Sequence, residues 1–148
     1  MALNDDIHLF AEIPLFRLLE MDAVRLLAFS AETKLLRAGD ILARAPGSLD
    51  GGNLLMKGSL AIFDNPDQIG NAARIVRAPT LVGELSMIAK TDFVGSIVAR
   101  EPSTILRIPR AVFHRVLAEY PESAQKVRLA LLDRLKGISR ELQPLVSV

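Results

Sequence analysis

The order of strands and turns is decided by a stretch of the chain that glycine divides into short apolar segments. Residues 33–63 read TKLLRAGDILARAPGSLDGGNLLMKGSLAIF, with glycine at positions 39, 47, 51, 52 and 58. Short apolar segments between glycines are typical of strands joined by tight turns, because glycine adopts the backbone angles that such turns require. The stretch therefore predicts several antiparallel strands in succession.

The same rhythm continues as far as residue 108. We predict about eight strands, at Lys34–Arg37, Ile41–Arg44, Asn53–Met56, Ser59–Phe63, Ala73–Arg77, Leu81-Val82, Phe93–Ala99 and Thr104–Ile108. The sequence Asp64-Asn65-Pro66-Asp67 is dense in turn-forming residues, so the strands on either side of it are expected to form a hairpin. Strands of this number and length indicate an antiparallel jelly roll.

Helical spacing appears on both sides of the predicted roll. Apolar residues recur at helical intervals in the first part of the chain, where we predict two short helices. Downstream, Pro109 stands where the first turn of a helix accepts proline, and a last helix begins at about Glu122, after Pro121. We therefore expect one mostly β domain over residues 1–148, with N-terminal helices in 1–32, the β-roll in 33–108 and C-terminal helices in 109–148.

Composition narrows the classes of function. The 148 residues include 18 basic and 17 acidic side chains, so a net charge of +1 creates no field that attracts nucleic acid or an anionic membrane. The absence of cysteine excludes disulfides, thiolate metal sites and cysteine nucleophiles. No apolar run approaches the roughly 18 residues of a membrane span, and the N-terminus lacks the pattern of a secretory signal. These features predict a cytoplasmic protein that binds neither membranes nor nucleic acid.

The sequence contains no recognisable catalytic motif or metal-ligating cluster. It lacks a Gly-x-Ser-x-Gly elbow, a Gly-x-x-x-x-Gly-Lys loop and a His-Glu-x-x-His helix. Its two histidines, His8 and His114, are far apart in the chain, whereas zinc needs three or four convergent ligands. We therefore expect no catalytic residues, no metal site and no enzymatic activity.

The last predicted helix carries an apolar stripe, with charged residues between its members. The stripe consists of Val127, Leu131, Leu135, Ile138 and Leu142. This spacing places the five side chains on one face of the helix. Two interpretations are open: the stripe packs back on the roll, or it pairs with its copy in a second subunit. We favour a homodimer through this helix, because a symmetric pair is the commonest oligomer.

Four stretches, in this order, resemble the cyclic-nucleotide-binding domain shared by catabolite-activator-type regulators, cyclic-nucleotide-dependent kinases and gated channels. They are residues 13–16 (IPLF), 37–42 (RAGDIL), 82–88 (VGELSMI) and 105–113 (ILRIPRAVF). The resemblance implies a double-stranded β-roll with helices at both ends. Transcription regulators of that family continue into a helix-turn-helix module. This chain stops at Val148, so direct DNA binding is not expected.

The resemblance also implies a ligand site. In that family the Gly-Glu-Leu stretch opens a short helix whose backbone N–H groups hold the cyclic phosphate, as helix starts do for anions. The matching residues here are Gly83, Glu84, Leu85 and Ser86, and Glu84 has the position that accepts a hydrogen bond from the ribose. The resemblance implies cyclic AMP or cyclic GMP as the ligand, and no other cofactor is expected.

The sequence departs from the family at the start of the next strand. Family members that bind cyclic nucleotides have there an arginine whose planar fork pairs with the phosphate. The matching position is Phe93 here, and the next residue, sometimes a hydroxyl donor in the family, is Val94. Loss of a charge-assisted hydrogen bond, about 1.5–3 kcal/mol, lowers affinity by about ten- to a hundredfold or more. Lys90, in the loop before this strand, is an alternative point charge without the bidentate geometry.

Two hypotheses for function follow. The first is a regulatory domain that binds a cyclic nucleotide weakly, or binds a different ligand, and repositions its terminal helices in response. The second is a ligand-independent interaction module that keeps the fold and dimerises through the last helix. Under the second hypothesis, the Gly83 turn persists because the roll needs it. Phe93 either stacks on a ligand or fills the vacated pocket, and we expect packing because apolar side chains are usually buried.

Overall fold

The described residues form ten strands and six helices. A computed structural model describes residues 7–45, 47–63, 74–93 and 95–146, with side chains in these ranges except at positions 48, 93 and 134–146. The strands are β1 (Glu32–Leu36), β2 (Ile41–Arg44), β3 (Gly47–Leu49), β4 (Gly51–Lys57), β5 (Ser59–Phe63), β6 (Arg74–Arg77), β7 (Thr80–Val82), β8 (Thr91–Phe93), β9 (Ser96–Ala99) and β10 (Ser103–Pro109). The helices are α1 (7–10), α2 (Pro14–Arg17), α3 (Met21–Ser30), α4 (Glu84–Ile88), α5 (Arg110–Glu119) and α6 (Pro121–Val146).

Two four-stranded antiparallel sheets and one short ribbon make up the roll. The first sheet has the strand order β1-β10-β4-β7, the second has the order β2-β9-β5-β6, and β3 pairs with β8. Neighbouring strands come from distant parts of the chain, as in a jelly roll, where the chain passes back and forth between two facing sheets. With α1–α3 before the roll and α5–α6 after it, this arrangement confirms the predicted fold class.

The hairpin expected near the middle of the chain is present as the pair β5–β6. Ser59 lies opposite Arg77, and Ile62 lies opposite Arg74. The predicted turn at Asp64–Asp67 lies outside the described residues. The pairing therefore agrees with the prediction on both sides of that turn.

The single strand expected at Phe93–Ala99 is divided into β8 and β9. The division accompanies a change of partner, since β8 pairs with β3 whereas β9 pairs with β2 and β5. The prediction also lacked β3, because a three-residue segment that contains Gly47 and Ser48 shows no apolar alternation. Both differences concern the short ribbon that follows α4.

Two hydrophobic clusters lie on opposite faces of the first sheet. The inner cluster, between the two sheets, consists of Leu36, Leu55, Leu60, Ile62, Val82, Ile97, Ala99 and Ile105. The outer cluster joins the first sheet to the helices and includes Phe113 of α5, Met87 of α4 and Val127 of α6. Leu54 and Leu55, adjacent in β4, belong to different clusters because successive side chains of a strand point to opposite faces. Helix α4 therefore packs with the helical layer.

The first turns of α6 are held against the rest of the chain. Ser123 is fully buried, and its hydroxyl accepts a hydrogen bond of 2.9 Å from the backbone N–H of Glu20, next to α3. Val127 is 2% exposed, and Leu131 packs partly buried against the outer cluster. Packing within the chain, one of the two open interpretations of the stripe, therefore holds for Val127. The side chains of Leu135, Ile138 and Leu142 lie outside the described part, and a dimer interface along this helix stays a prediction.

Candidate functional site

Helix α4 begins at a position that requires glycine. Gly83, the residue before the helix, has a φ of 81°, in the left-handed region that side chains disfavour. A Cβ atom here would lie 3.1 Å from the carbonyl oxygen of Gly51 and 3.1 Å from Cδ1 of Leu49. Both the backbone angle and the limited space therefore select glycine. The helical turn predicted at this residue is present.

Two consecutive glycines of β4 let neighbouring elements approach closely. A Cβ atom on Gly52 would lie 2.7 Å from Sδ of Met87, the fully buried side chain of α4. A Cβ atom on Gly51 would overlap the carbonyl oxygen of Ile108 in β10. The thioether of Met87 thus rests directly on the β4 backbone, and this contact fixes the height of α4 above the roll.

The residues predicted to contact a ligand differ in exposure along α4. Glu84 is half-buried, Leu85 is 56% exposed and Ser86 is 3% exposed. The hydroxyl of Ser86 forms a hydrogen bond of 2.6 Å with the hydroxyl of Thr91, in which either group can donate. This bond ties α4 to the first residue of β8. Ser86 therefore has a supporting contact, while Glu84 and Leu85 are accessible from outside the core.

The other predicted ligand-binding residues, Phe93 and Val94, follow two and three residues after Thr91 in the chain. The backbone of Phe93 lies opposite Gly47 in the ribbon of β3 and β8. The side chain of Phe93 and the whole of Val94 lie outside the described residues. Lys90 is exposed between α4 and β8. The described backbone thus places position 93 two residues along β8 from Thr91, the residue that bonds to Ser86 of α4, and a contact of Phe93 or Val94 with a ligand stays a prediction.

Helix α5 is bonded to α4 by two side chains that the sequence prediction did not select. The guanidinium of Arg110 donates from Nε to the carbonyl of Ser86 and from Nη2 to the carbonyl of Leu49, both at 2.9 Å. Further along α5, Nε2 of His114 lies 2.7 Å from the carbonyl oxygen of Ile88, at the end of α4. Arg110 is the first residue of α5, where the helix dipole disfavours a cation. A basic residue at the start of a predicted helix is therefore the sequence feature that could have identified Arg110 as a residue with a partner elsewhere.

Two cavities border this region. The larger is a groove of about 660 Å³ between the end of α4, α5 and α6, with Ile88, Leu117 and Leu132 in its lining. The smaller, of about 210 Å³, opens beside β3 and is lined in part by Leu49 and Asn53. Because Leu49 also limits the space at Gly83, the smaller cavity adjoins the start of α4.

Neither a cluster of metal ligands nor a membrane-spanning helix is found among the described residues. No three histidine, aspartate or glutamate side chains within this part of the chain converge on a point where a metal ion could bind. None of the helices it contains has both the length and the apolar character needed to cross a bilayer.

The comparisons with known proteins identify the family. The sequence model of the cyclic nucleotide-binding domain matches residues 33–120, more than half of the chain, from β1 through α5. The solved structure of a cyclic nucleotide-binding-like protein from Brucella abortus is 34% identical, with a TM-score of 0.68, and the match covers 77% of this chain and 98% of that chain. The chain therefore belongs to the cyclic nucleotide-binding domain family.

Two further solved structures share the fold at lower identity. The N-terminal domain of a transcriptional regulator from Streptomyces coelicolor is 22% identical with a TM-score of 0.81, over 90% of this chain and 94% of that chain. The sensor domain of the transcriptional regulator DNR from Pseudomonas aeruginosa is 19% identical with a TM-score of 0.79, over 99% of this chain and 95% of that chain. At these identities the likeness concerns the fold alone. No curated protein gives a significant match.

Proposed function

We propose that the chain is a regulatory ligand-binding domain in which a small molecule binds between α4 and the roll, and in which cyclic nucleotide binding is weakened or altered. One observation carries the proposal: an intact helix start at Gly83 is combined with phenylalanine at position 93, where the family has its cation. Family membership supports ligand binding as the general role. The missing cation supports a change in affinity or in the identity of the ligand.

Each residue of the site has a separate part in this proposal. The first N–H groups of α4, after Gly83, face the negative group of the ligand, because a helix start leaves such groups without an intrahelical acceptor. Glu84 accepts a hydrogen bond from a ligand hydroxyl, and exposed Leu85 covers its apolar part. Ser86 maintains the geometry through Thr91. Phenylalanine at 93 and valine at 94 offer no positive charge, so the ligand's negative group has to find its cation elsewhere, and an apolar or aromatic group on the ligand is favoured on that side.

The ligand acts on the terminal helices through α4. Arg110 and His114 bond α4 to α5, and Met87 joins it to the outer cluster, which includes Val127 of α6. A ligand that binds one position of α4 more tightly than another shifts the population of helix arrangements toward that position. This role involves no bond-making step. We accordingly propose a cytoplasmic, non-enzymatic protein that does not bind nucleic acid.

Titration with cyclic nucleotides tests the site. Cyclic AMP and cyclic GMP are titrated to millimolar concentration into the wild type and Phe93→Arg, with isothermal calorimetry and thermal unfolding as the readouts. We expect weak binding by the wild type and an affinity at least about tenfold higher for Phe93→Arg, since the guanidinium adds a charge-assisted hydrogen bond. Phe29→Arg is the matched control, because Phe29 is 79% exposed on α3, far from the site in sequence.

The same titration defines the result that rejects the nucleotide version. If neither the wild type nor Phe93→Arg gives heat or a thermal shift, cyclic nucleotides are not the ligands of this pocket. In a protein that does bind them, Glu84→Ala is expected to weaken binding without unfolding the domain, since Glu84 is only half-buried.

The groove beside α6 favours a second candidate function, ligand-independent dimerisation. Leu132 lines this groove and is 45% exposed, and Leu129 on the same helix is 53% exposed. Exposed leucines on a terminal helix are suited to an isologous contact with a second subunit. In sedimentation experiments, Leu131→Asp and Leu135→Asp should dissociate the dimer, whereas Glu84→Ala should leave it intact. A wild type that is monomeric at every concentration would reject this candidate.

A further inference from the structure

The smaller cavity has polar side chains of the first sheet on one wall, called the polar wall, and mainly apolar side chains, together with Arg44, on the other. Leu42, Ala43 and Leu49 line it together with Lys34, Asn53 and Arg107. Its volume of about 210 Å³ is below the roughly 300–1,000 Å³ of pockets that enclose drug-sized ligands. The cavity therefore suits a compact ligand with one polar end.

Strand pairing places the polar wall next to the start of α4. Glu32, Arg107, Asn53 and Val82 are successive partners across β1, β10, β4 and β7. Directly paired residues of a sheet share a face, and Val82 belongs to the inner cluster. Arg107 and Asn53 therefore lie on the inner face of the sheet, in the row that ends one residue before Gly83.

Asn53 is a buried polar residue whose side-chain amide lacks a partner in the part of the chain that the structure describes. The residue is 5% exposed, and within the described ranges its side chain has no hydrogen-bond partner. An amide side chain offers two donors and one acceptor, and burying them without partners is unfavourable. Since Asn53 borders the cavity, a polar group of a molecule in the cavity would satisfy it.

Arg107 supplies a cation beside this amide. Its guanidinium forms ion pairs with Asp50 and, at 3.5 Å, with Glu32, and both carboxylate side chains are more than 60% exposed. Exposed ion pairs of this kind are weak, so a ligand oxyanion can take the place of one carboxylate. A guanidinium binds the two oxygens of a carboxylate or phosphate in parallel, and Lys34 and Arg44 add two further positive charges at the cavity.

We propose that this cavity binds the oxyanion of a small organic acid or phosphate ester, with Arg107 as its principal cation and Asn53 as a hydrogen-bond donor. The inference rests on the proposed function and makes it more specific, because the cation that β8 lacks at Phe93 is supplied by β10. The oxyanion displaces Asp50 from Arg107, and the body of the ligand contacts Leu42, Ala43 and Leu49. A carboxylate and a phosphate ester share this chemistry and are separated by the choice of probe.

The test uses two variants with opposite expected effects. Phenyl phosphate, benzoate and inorganic phosphate are titrated into the full chain at low ionic strength, because salt screens exposed charges. Arg107→Gln should weaken binding at least about tenfold, the loss of a charge-assisted contact. Asp50→Asn should tighten binding by up to about fivefold, because it removes a competing carboxylate. Arg25→Gln, which removes an exposed arginine paired with Asp22, is the matched control and should change nothing.

A third variant, Asn53→Leu, keeps the test decisive if Arg107→Gln does not fold. Asn53→Leu replaces the buried amide with an apolar side chain of similar size, so the variant should remain folded and yet bind the probe more weakly. Thermal unfolding of each variant establishes that it is folded before titration. A preference for phenyl phosphate identifies a phosphate ester as the ligand class, and a preference for benzoate identifies a carboxylic acid.

Three outcomes would overturn the inference. The first is that no probe binds the wild type at millimolar concentration. The second is that Arg107→Gln and Asp50→Asn change affinity in the same direction, as expected of an ion pair that only stabilises the fold. The third is cyclic AMP binding that Arg107→Gln leaves unchanged, which would retain the proposed function. Conversely, probe binding that depends on Arg107 in a protein that ignores cyclic AMP supports the inference and rejects the nucleotide version of the function.

Discussion

The inner and outer clusters cover the two faces of one sheet with different kinds of side chain. The outer cluster contains the buried rings of Phe10, Phe16 and Phe113, and the first two lie 4.8 Å apart between centroids. The buried members of the inner cluster are all aliphatic, and a cavity opens at its end. Aromatic side chains bury about 150–250 Å² each, so the outer face holds the helices firmly. The inner face leaves space that a ligand can enter.

Gly83 is the point at which the chain passes from one cluster to the other. Val82, just before it, belongs to the inner cluster, and Met87, four residues after it, belongs to the outer cluster. Helix α4 therefore begins directly after a residue of the inner cluster and is anchored by a side chain of the outer cluster. Under the proposed function, α4 connects the bound ligand to the helical layer, and each variant below tests that connection.

The largest effect is expected from removing the outer anchor of α4. Met87→Ala should lower the free energy of unfolding by about 2–5 kcal/mol, the range for deleting a fully buried large side chain. It should also speed hydrogen exchange of the α4 amides. Met21→Ala is the control, because Met21 is 52% exposed and surface changes usually stay within about 0.5 kcal/mol. Equal urea-unfolding curves for the two variants would show that Met87 does not anchor the helix.

A smaller effect is expected at the junction itself. Gly83→Ala should lower the free energy of unfolding by about 1–2 kcal/mol for the left-handed backbone alone, and by more because its Cβ atom meets Gly51 and Leu49. Gly39→Ala separates the two contributions, since Gly39 has a φ of 91° and open space around its Cβ position. Denaturant unfolding of both variants measures the difference. A cost at Gly83 no greater than at Gly39 would contradict the close contact.

The smallest effect is expected from trimming the inner cluster. Ile105→Val should cost about 0.5–1.5 kcal/mol and leave hydrogen exchange of α4 unchanged, because Ile105 does not belong to the cluster that contains Met87. Ile75→Val is the control, because it removes the same methylene group from a side chain that is 44% exposed on β6. Faster hydrogen exchange in α4 after Ile105→Val would show that packing in the inner cluster also stabilises α4.

Local patterns were enough to predict much of the fold. Glycine spacing indicated the roll, the turn formers after Phe63 indicated the pairing of β5 with β6, and helical spacing indicated the two C-terminal helices. The ribbon of β3 and β8 could not be predicted in this way. The stretch Phe93–Ala99 has apolar residues on both sides of Gly95 and Ser96 and was predicted as one strand, although only position 93 of it belongs to β8. The partner strand β3 is a segment of three residues without apolar alternation.

The candidate site likewise has one part that could be predicted from the sequence and one part that could not. The turn at Gly83 was predictable because the resemblance to the cyclic-nucleotide-binding domain implies a short helix that opens at the Gly-Glu-Leu stretch. The supporting residues were not, because their partners are distant in sequence. Arg110 reaches the carbonyl of Leu49, 61 residues away, and Asn53 acquires its significance from Arg107 on another strand. Such contacts follow from tertiary packing, which no single segment encodes.

The pair Gly51-Gly52 limits which substitutions the roll accepts. The backbone of Ile108 leaves no room for a Cβ atom at Gly51, whereas a Cβ atom at Gly52 would require the side chain of Met87 to move. According to the two proposals, substitutions that alter ligand preference fall on β8 or on Arg107 and Asn53. Such substitutions do not affect Gly51 or Gly52. In any variant that keeps this strand packing, we therefore expect glycine at position 51 to persist when the ligand changes, because its neighbour is backbone and cannot be traded for a smaller side chain.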